Sequence, residues 1–379
     1  MNITPVQAKA DPSRVESDLI EYCLARSRTE ALDDEHTVVA QLPLYEALVK
    51  RGETERAASY LLAAWPRRPR LDEGATGTEI FMARYAEQCG HSELARSWAE
   101  EIQSTHALTD LLAESALGRD PSFLQYVRER LDKKSGSQFE QRLDLMEAQM
   151  ASGLSKEAED TFQTGLKRAD GVRSPDPFRV LFYQARGYAV LGRETQAQEF
   201  LAQSRAQAYE NVAASVGGDQ LCQVALEYHK AGDKKEALDS LLQAEEQADE
   251  HLQTKLARAY AEMGEDESAL KWASAAPSGH YAVYFLAPQM TSLEQLTRLE
   301  SLINERFSTA SWAALIEAYV RLGDLEKARQ LAADWISQNP QTDTWEYACI
   351  TRALAPHTEI DERLRRALEA DKIGIGSSR

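Results

Sequence analysis

Apolar residues recur at spacings of three and four almost throughout this chain. Val15, Leu19, Ile20, Cys23 and Leu24 do so near its start, and Leu293, Leu296, Leu299, Leu302 and Ile303 do so further on. That is the period of one face of a helix, and no stretch shows a convincing strand-like alternation. The expected fold class is all-α. Short polar turns centred on glycine interrupt the apolar pattern: RGETERA, CGHSELA, SGLSKEA, LGRETQA, AGDKKEA, MGEDESA and LGDLEKA. In each, an alanine stands five residues past the glycine, giving Gly52/Ala57, Gly90/Ala95, Gly153/Ala158, Gly192/Ala197, Gly232/Ala237, Gly264/Ala269 and Gly323/Ala328. Tyr188, Tyr228, Tyr260 and Tyr319 stand four residues before their glycines, and Ala83, Ala185, Ala225 and Ala257 stand seven before. Successive turn glycines are 38, 63, 39, 40, 32 and 59 residues apart. The two long steps are about twice a repeat, which predicts a degenerate unit near 107–132 and another near 278–305.

The unit has a mechanical logic. Glycine after a helix supplies the left-handed backbone that closes it. The alanines allow two helices to approach closely, and the tyrosine fills the space between them with its hydroxyl toward water. One helix pair cannot bury its apolar face alone, so neighbours must stack. The pattern resembles the tetratricopeptide repeat (TPR) family over about residues 36–337. That family has a small residue and an aromatic on the first helix, a turn glycine, an alanine five residues on, and often a proline at the repeat end. Here Pro69 and Pro340 hold that last place. The resemblance implies an α-solenoid, a right-handed superhelix of stacked antiparallel helix pairs. About ten pairs plus one N-terminal helix are expected. The expected organisation is an N-terminal lead-in and capping helix over 1–35, a TPR-like array over 36–340, and a C-terminal capping pair with a loose tail over 341–379. The first helix is predicted over 13–28, Asp120-Pro121 is predicted to start the second helix of the first degenerate unit, and Asp219 in VGGDQ to cap the helix after it. GVRSPDP at 171–177 is the best candidate for a hinge.

Composition narrows the function classes. The formal net charge is −18. That argues against non-specific binding to nucleic acid or to anionic membrane surfaces. The N-terminus lacks an apolar core of the signal-peptide kind, and no run of 18 apolar residues occurs. Cys23, Cys89, Cys222 and Cys349 are far apart and show no metal-ligand spacing. The expectation is a cytoplasmic protein. No phosphate-binding loop, dinucleotide fingerprint, nucleophile elbow or HExxH is present, so no catalytic residue, metal or cofactor is assigned. The tryptophans are expected in the core, and Arg67, Arg68 and Arg70 form a small basic group after the first repeat.

In the resembling family the first helix of each pair lines a concave groove. One inward position lies six residues before the turn glycine, and here it holds Glu46, Arg84, Glu147, Arg186, Leu226, Arg258 and Glu317. Relatives that clamp a peptide C-terminus carry asparagine there, and this chain has none. The same register adds Arg179, His229, Lys230 and His251, against Asp219 and Glu262. The middle of the groove is thus expected to be locally basic, and clustered arginine suits carboxylates. The predicted partner site is Arg179, Arg186, His229, Lys230 and Arg258, with an acidic protein or peptide segment as partner. The alternative is that these residues pair with the groove's own acids. The functional expectation is a non-enzymatic interaction scaffold. A peptide-responsive regulatory sensor is the first alternative, and an enzyme on an α/α toroid the second.

Overall fold

The computed structural model describes residues 14–15, 17–27, 34–67, 77–136, 138–170, 176–211, 216–276, 279–302, 308–339 and 344–376. Among these residues it has twenty-one α-helices and no strand beyond one isolated bridge, Asp18 to Glu359. In chain order they are α1 (Leu19–Arg26), α2 (Asp34–Lys50), α3 (Thr54–Ala64), α4 (Gly77–Gln88), α5 (Ser92–Glu101), α6 (Thr105–Glu114) and α7 (Pro121–Lys133). Then come α8 (Phe139–Ala151), α9 (Ser155–Asp170), α10 (Pro177–Val190), α11 (Glu194–Glu210), α12 (Val216–Lys230), α13 (Lys234–Glu245) and α14 (Glu250–Glu262). The last are α15 (Asp266–Ala275), α16 (Gly279–Leu286), α17 (Leu293–Glu300), α18 (Thr309–Arg321), α19 (Leu325–Gln338), α20 (Thr344–Leu354) and α21 (Glu362–Gly376). They are ten pairs after one N-terminal helix, all-α and solenoid-like in their stacking, as expected.

The turns explain the pairing. All seven predicted turn glycines have positive φ, between +70° and +84°. At Gly264 the glycine N–H donates to the Ala261 carbonyl and the Glu265 N–H reaches back to the Tyr260 carbonyl, both at 2.9 Å. These two bonds satisfy the last carbonyls of α14 and fix the chain's reversal. The Ala269 N–H then donates to the Glu265 carbonyl at 3.0 Å, the first bond of α15. Six of the seven alanines at this position are fully buried; Ala197 is half-buried.

The degenerate units close differently. Between α6 and α7 a 3-10 turn over Ala116–Arg119 replaces the glycine, and Asp120 caps α7 by accepting from the Ser122 N–H at 2.9 Å. Before α17, Ser292 accepts from the Gln295 N–H while Gln295 accepts from the Ser292 N–H, a reciprocal cap.

Two compact units can be told apart: residues 99–277, and residues 1–98 together with 278–379. Within 99–277 the first helices α6, α8, α10, α12 and α14 pack in sequence. Within the other unit the row runs α16, α18, α20, α2, α4, so the last pair packs directly on the first. The helix expected as a cap on the first repeat's open end packs on both α2 and α20. It is also shorter than the predicted 13–28, starting where Asp18 accepts from the Ile20 N–H at 2.9 Å. VGGDQ is not a capped turn: Val216–Gln220 is the first stretch of α12, and Asp219 pairs with Lys255 at 2.8 Å. Gly218 serves packing, because a Cβ there would stand 2.3 Å from Leu252 Cδ2. Trp65 and Trp98 stack in the core at 4.2 Å, whereas Trp345 is an exposed exception. Arg68, Arg70, Pro69, Pro340 and residues 171–175 of GVRSPDP lie outside the described residues; Asp176 and Pro177 start α10.

Candidate interaction face

The five residues predicted to meet a partner all belong to the 99–277 unit, on α10, α12 and α14. Their neighbours are mostly acidic. Arg186 lies between two repeats, its Nη2 donating to Glu147 Oε1 on α8 at 3.3 Å and its Nε standing 3.5 Å from Glu227 Oε1 on α12. Lys230 donates to that same Glu227 oxygen at 2.8 Å, and Arg258 Nε donates to Glu262 Oε1 at 2.6 Å. Arg179 Nε stands 3.8 Å from Asp176 Oδ2 and keeps a side chain 76% exposed. His229 is half-buried on α12, and His251 is exposed in the first turn of α14. The structure joins Arg186 and Lys230 through one carboxylate, that of Glu227.

The face is more acidic than the turn register indicated. Asp144 lies three residues before Glu147, hence on the same side of α8. Burial and then the Glu147 charge push its pKa up to about 6, against the opposing pull of Arg186 and a bond from Thr109. Asp110 on α6 adds to that push and is itself raised, chiefly by burial, with His106 opposing at 3.4 Å and Glu114 reinforcing. Reading only the position six before each glycine passed over Asp144; the i−3 neighbour of Glu147 was the signal that would have found it.

The tyrosine hydroxyls also differ from expectation. Tyr260 donates to Glu245 and Tyr319 to Glu300, at 2.8 and 2.9 Å. Burial and these carboxylates raise both phenol pKa values, that of Tyr319 to about 12. These tyrosines therefore tie a first helix to the second helix of the preceding pair.

Inward positions of the other unit form their own network. Arg352 on α20 stands 3.5 Å from Glu46 on α2 and 3.8 Å from Glu317 on α18, and Lys50 donates to Glu317 at 2.7 Å. Tyr85 donates to Glu46 at 2.5 Å. Burial opposes ionisation of Glu46, but Arg352, the Tyr85 bond and Lys50 outweigh it and lower its pKa. Among the described residues no group of three or more His, Cys, Asp or Glu could hold a metal ion, and no helix is long and apolar enough to cross a membrane.

No family model and no curated protein matches the chain. Among solved structures, a signal transduction ATPase with numerous domains (STAND protein) with a tetratricopeptide repeat sensor, from Pyrococcus horikoshii, is 15% identical with a TM-score of 0.28. The match covers 87% of this chain and 53% of that one, so the chain spans about half of its length. The P58(IPK) TPR domain is 15% identical with a TM-score of 0.20, over 90% of this chain and 99% of that domain.

Proposed function

We propose that this TPR-like array, taken as residues 36–340 between end pieces 1–35 and 341–379, is a non-enzymatic scaffold for another protein. An acidic segment of that protein lies across α10, α12 and α14, against Arg179, Arg186, His229, Lys230 and Arg258. The observation that carries the reading is the shared cation between repeats. Arg186 spans Glu147 and Glu227 at 3.3 and 3.5 Å, longer than the ~2.7–2.9 Å of tight charge-assisted bonds. A partner carboxylate can compete for such a guanidinium; Lys230, on the same Glu227 oxygen, and Arg258, on the next first helix, keep more than half of their side chains exposed. Asp144 and Glu147 repel an acid from the α8 side, which directs the segment toward α12 and α14. The buried, unbridged thiols of Cys23, Cys222 and Cys349 favour a reducing compartment such as the cytoplasm.

The test is capture from the native lysate with wild type and Arg186→Glu/Arg258→Glu, identification by mass spectrometry, and calorimetric titration of the identified partner. The double variant is expected to lose at least tenfold in affinity, with Arg258→Glu alone, an exposed change, showing part of the loss. Equal affinity in all three overturns the reading. The toroid-enzyme reading draws on one observation, the raised carboxyl of Asp144 beside Asp110 and Arg186, since perturbed acids gather at catalytic sites. Asp144→Asn abolishes an activity that depends on that acid, whereas under the scaffold reading partner binding persists and is strengthened by the loss of a repelling charge.

A further inference from the structure

The contact between the first and last helix pairs is bonded from both of its sides. On one side lies α1, only eight residues long. A helix that short is not stable alone in water. It is held because Leu19, Ile20, Cys23 and Leu24 are all fully or almost fully buried and because its polar groups divide between the two ends of the chain.

Toward the last pair, the Leu19 N–H donates to the Thr358 carbonyl at 2.8 Å and the Ile360 N–H donates to the Ser17 carbonyl at 2.9 Å. Cys23 Sγ lies 3.3 Å from Thr351 Oγ1, and the Arg26 guanidinium lies 4.5 Å from the Tyr347 ring centre. Toward the first pair, the fully buried Glu21 carboxylate accepts two bonds from Arg56, at 2.5 and 2.9 Å. Asp18 belongs to both: Arg51 of the first pair donates to it at 2.5 Å and Thr358 of the last at 3.2 Å. On the other side of the contact lies the Glu46, Lys50, Arg352 and Glu317 network, which is partly exposed.

We infer that α1 is a releasable staple that holds the first helix pair to the last, and that its release lets α2 and α20 part. The asymmetry of the two clusters sets how this happens. The Glu317, Lys50 and Arg352 side chains keep between about a quarter and a half of their exposure, so salt screens that network. Glu21 and Asp18 are nearly or fully buried and resist screening, so α1 decides whether the contact survives. Removing the Glu21 charge costs α1 its two charge-assisted bonds to the first pair, while Arg56 keeps Glu53 at 3.1 Å, which makes Glu21 the sensitive point. The inference concerns only the unit that contains both chain ends and does not depend on what the α10–α14 face binds.

Hydrogen exchange by mass spectrometry on the full chain tests it, at low salt and in about 1 M NaCl, where the screening length is about 3 Å. Glu21→Gln is expected to exchange at least tenfold faster than wild type in α1, in residues 358–360 and in α20, with α10, α12 and α14 unchanged, and 1 M NaCl is expected to widen the difference. Three results overturn the inference: α1 no faster than in wild type, α20 unchanged while α1 opens, or equal acceleration in both units. A second variant covers the case of a misfolded Glu21→Gln. Thr351→Cys places a sulfur where Oγ1 now approaches Cys23, and mild oxidation should join the two, as verified by peptide mapping. The joined form should lose the salt-induced exchange of α20 that the reduced form of the same variant shows. No crosslink, or identical exchange in both forms, also overturns the staple.

Discussion

Replacing Ala269 or Ala328 with leucine tests the repeat register most directly. Both alanines are fully buried five residues past a turn glycine, on α15 and α19. Alanine and leucine are both strong helix formers, so the substitution is nearly silent for the helix itself. On an open surface it would cost little. In a close-packed contact the added carbons force neighbouring helices apart, and overpacking typically costs about 1–3 kcal/mol. Ala197 is the internal control, because it holds the same register position but is only half-buried. Leucine there is expected to cost no more than about 0.5 kcal/mol, the usual bound for surface changes. For a cooperative unit of about 150–250 residues, 1 kcal/mol shifts the melting temperature by about 2–4 °C. The expected losses are therefore about 2–12 °C at positions 269 and 328. Differential scanning calorimetry reads them, and because Ala269 and Ala328 belong to different units, each variant should shift its own unit's contribution. No loss at either position, or an equal loss at Ala197, would refute the claim that the alanines set helix approach.

Two further outcomes are expected. Gln138 is the one non-glycine with positive φ among the described residues, at +50°; left-handed backbone costs a side-chain-bearing residue about 1–2 kcal/mol, and glycine gives back about 0.4–1 through the unfolded chain. Gln138→Gly should therefore gain up to about 1.6 kcal/mol in urea melts, and a destabilised variant would sink that account. Asp144, raised to about 6, gives a signed pH effect. Its proton is held more tightly in the folded chain than in the unfolded one, where the carboxyl titrates near ~3.9. Its contribution to stability is thus most favourable below about pH 4 and is lost as pH rises through about 6. The melting temperature of Asp144→Asn relative to wild type should rise from pH 4 to about pH 6 and then level off; a falling difference would show that Arg186 dominates the site.

The repeat was legible because its marks are local. A glycine that must take positive φ and an alanine five residues on, which must fit between helices, are constraints within one turn. Six of seven alanines and all seven glycines obey them. The first degenerate unit was legible for the same reason, since Asp120 before Pro121 is a helix start written in two residues. Asp219 misled because an aspartate near glycines also suits the first turn of a helix, and only Leu252, 34 positions further on, explains why Gly218 sits inside α12.

The face was less legible because its character depends on residues one repeat away. Arg186 looks like a free cation in its own repeat. It becomes a shared one only when Glu147, 39 residues before it, and Glu227, 41 after it, are brought alongside. The same holds more strongly at the chain ends. Nothing near Glu21 in the sequence announces Arg56, and nothing near Asp18 announces Thr358, 340 residues away. Register arguments locate a side chain on its own helix; they do not say which charge the next helix presents to it. For a repeat array that distinction separates fold from function: a turn repeats the same local solution, whereas each inter-repeat charge pair is specific to its two neighbours. Under the proposed reading a partner must displace or complement such pairs, so Glu147 and Glu227 weigh on its affinity as much as the arginine between them.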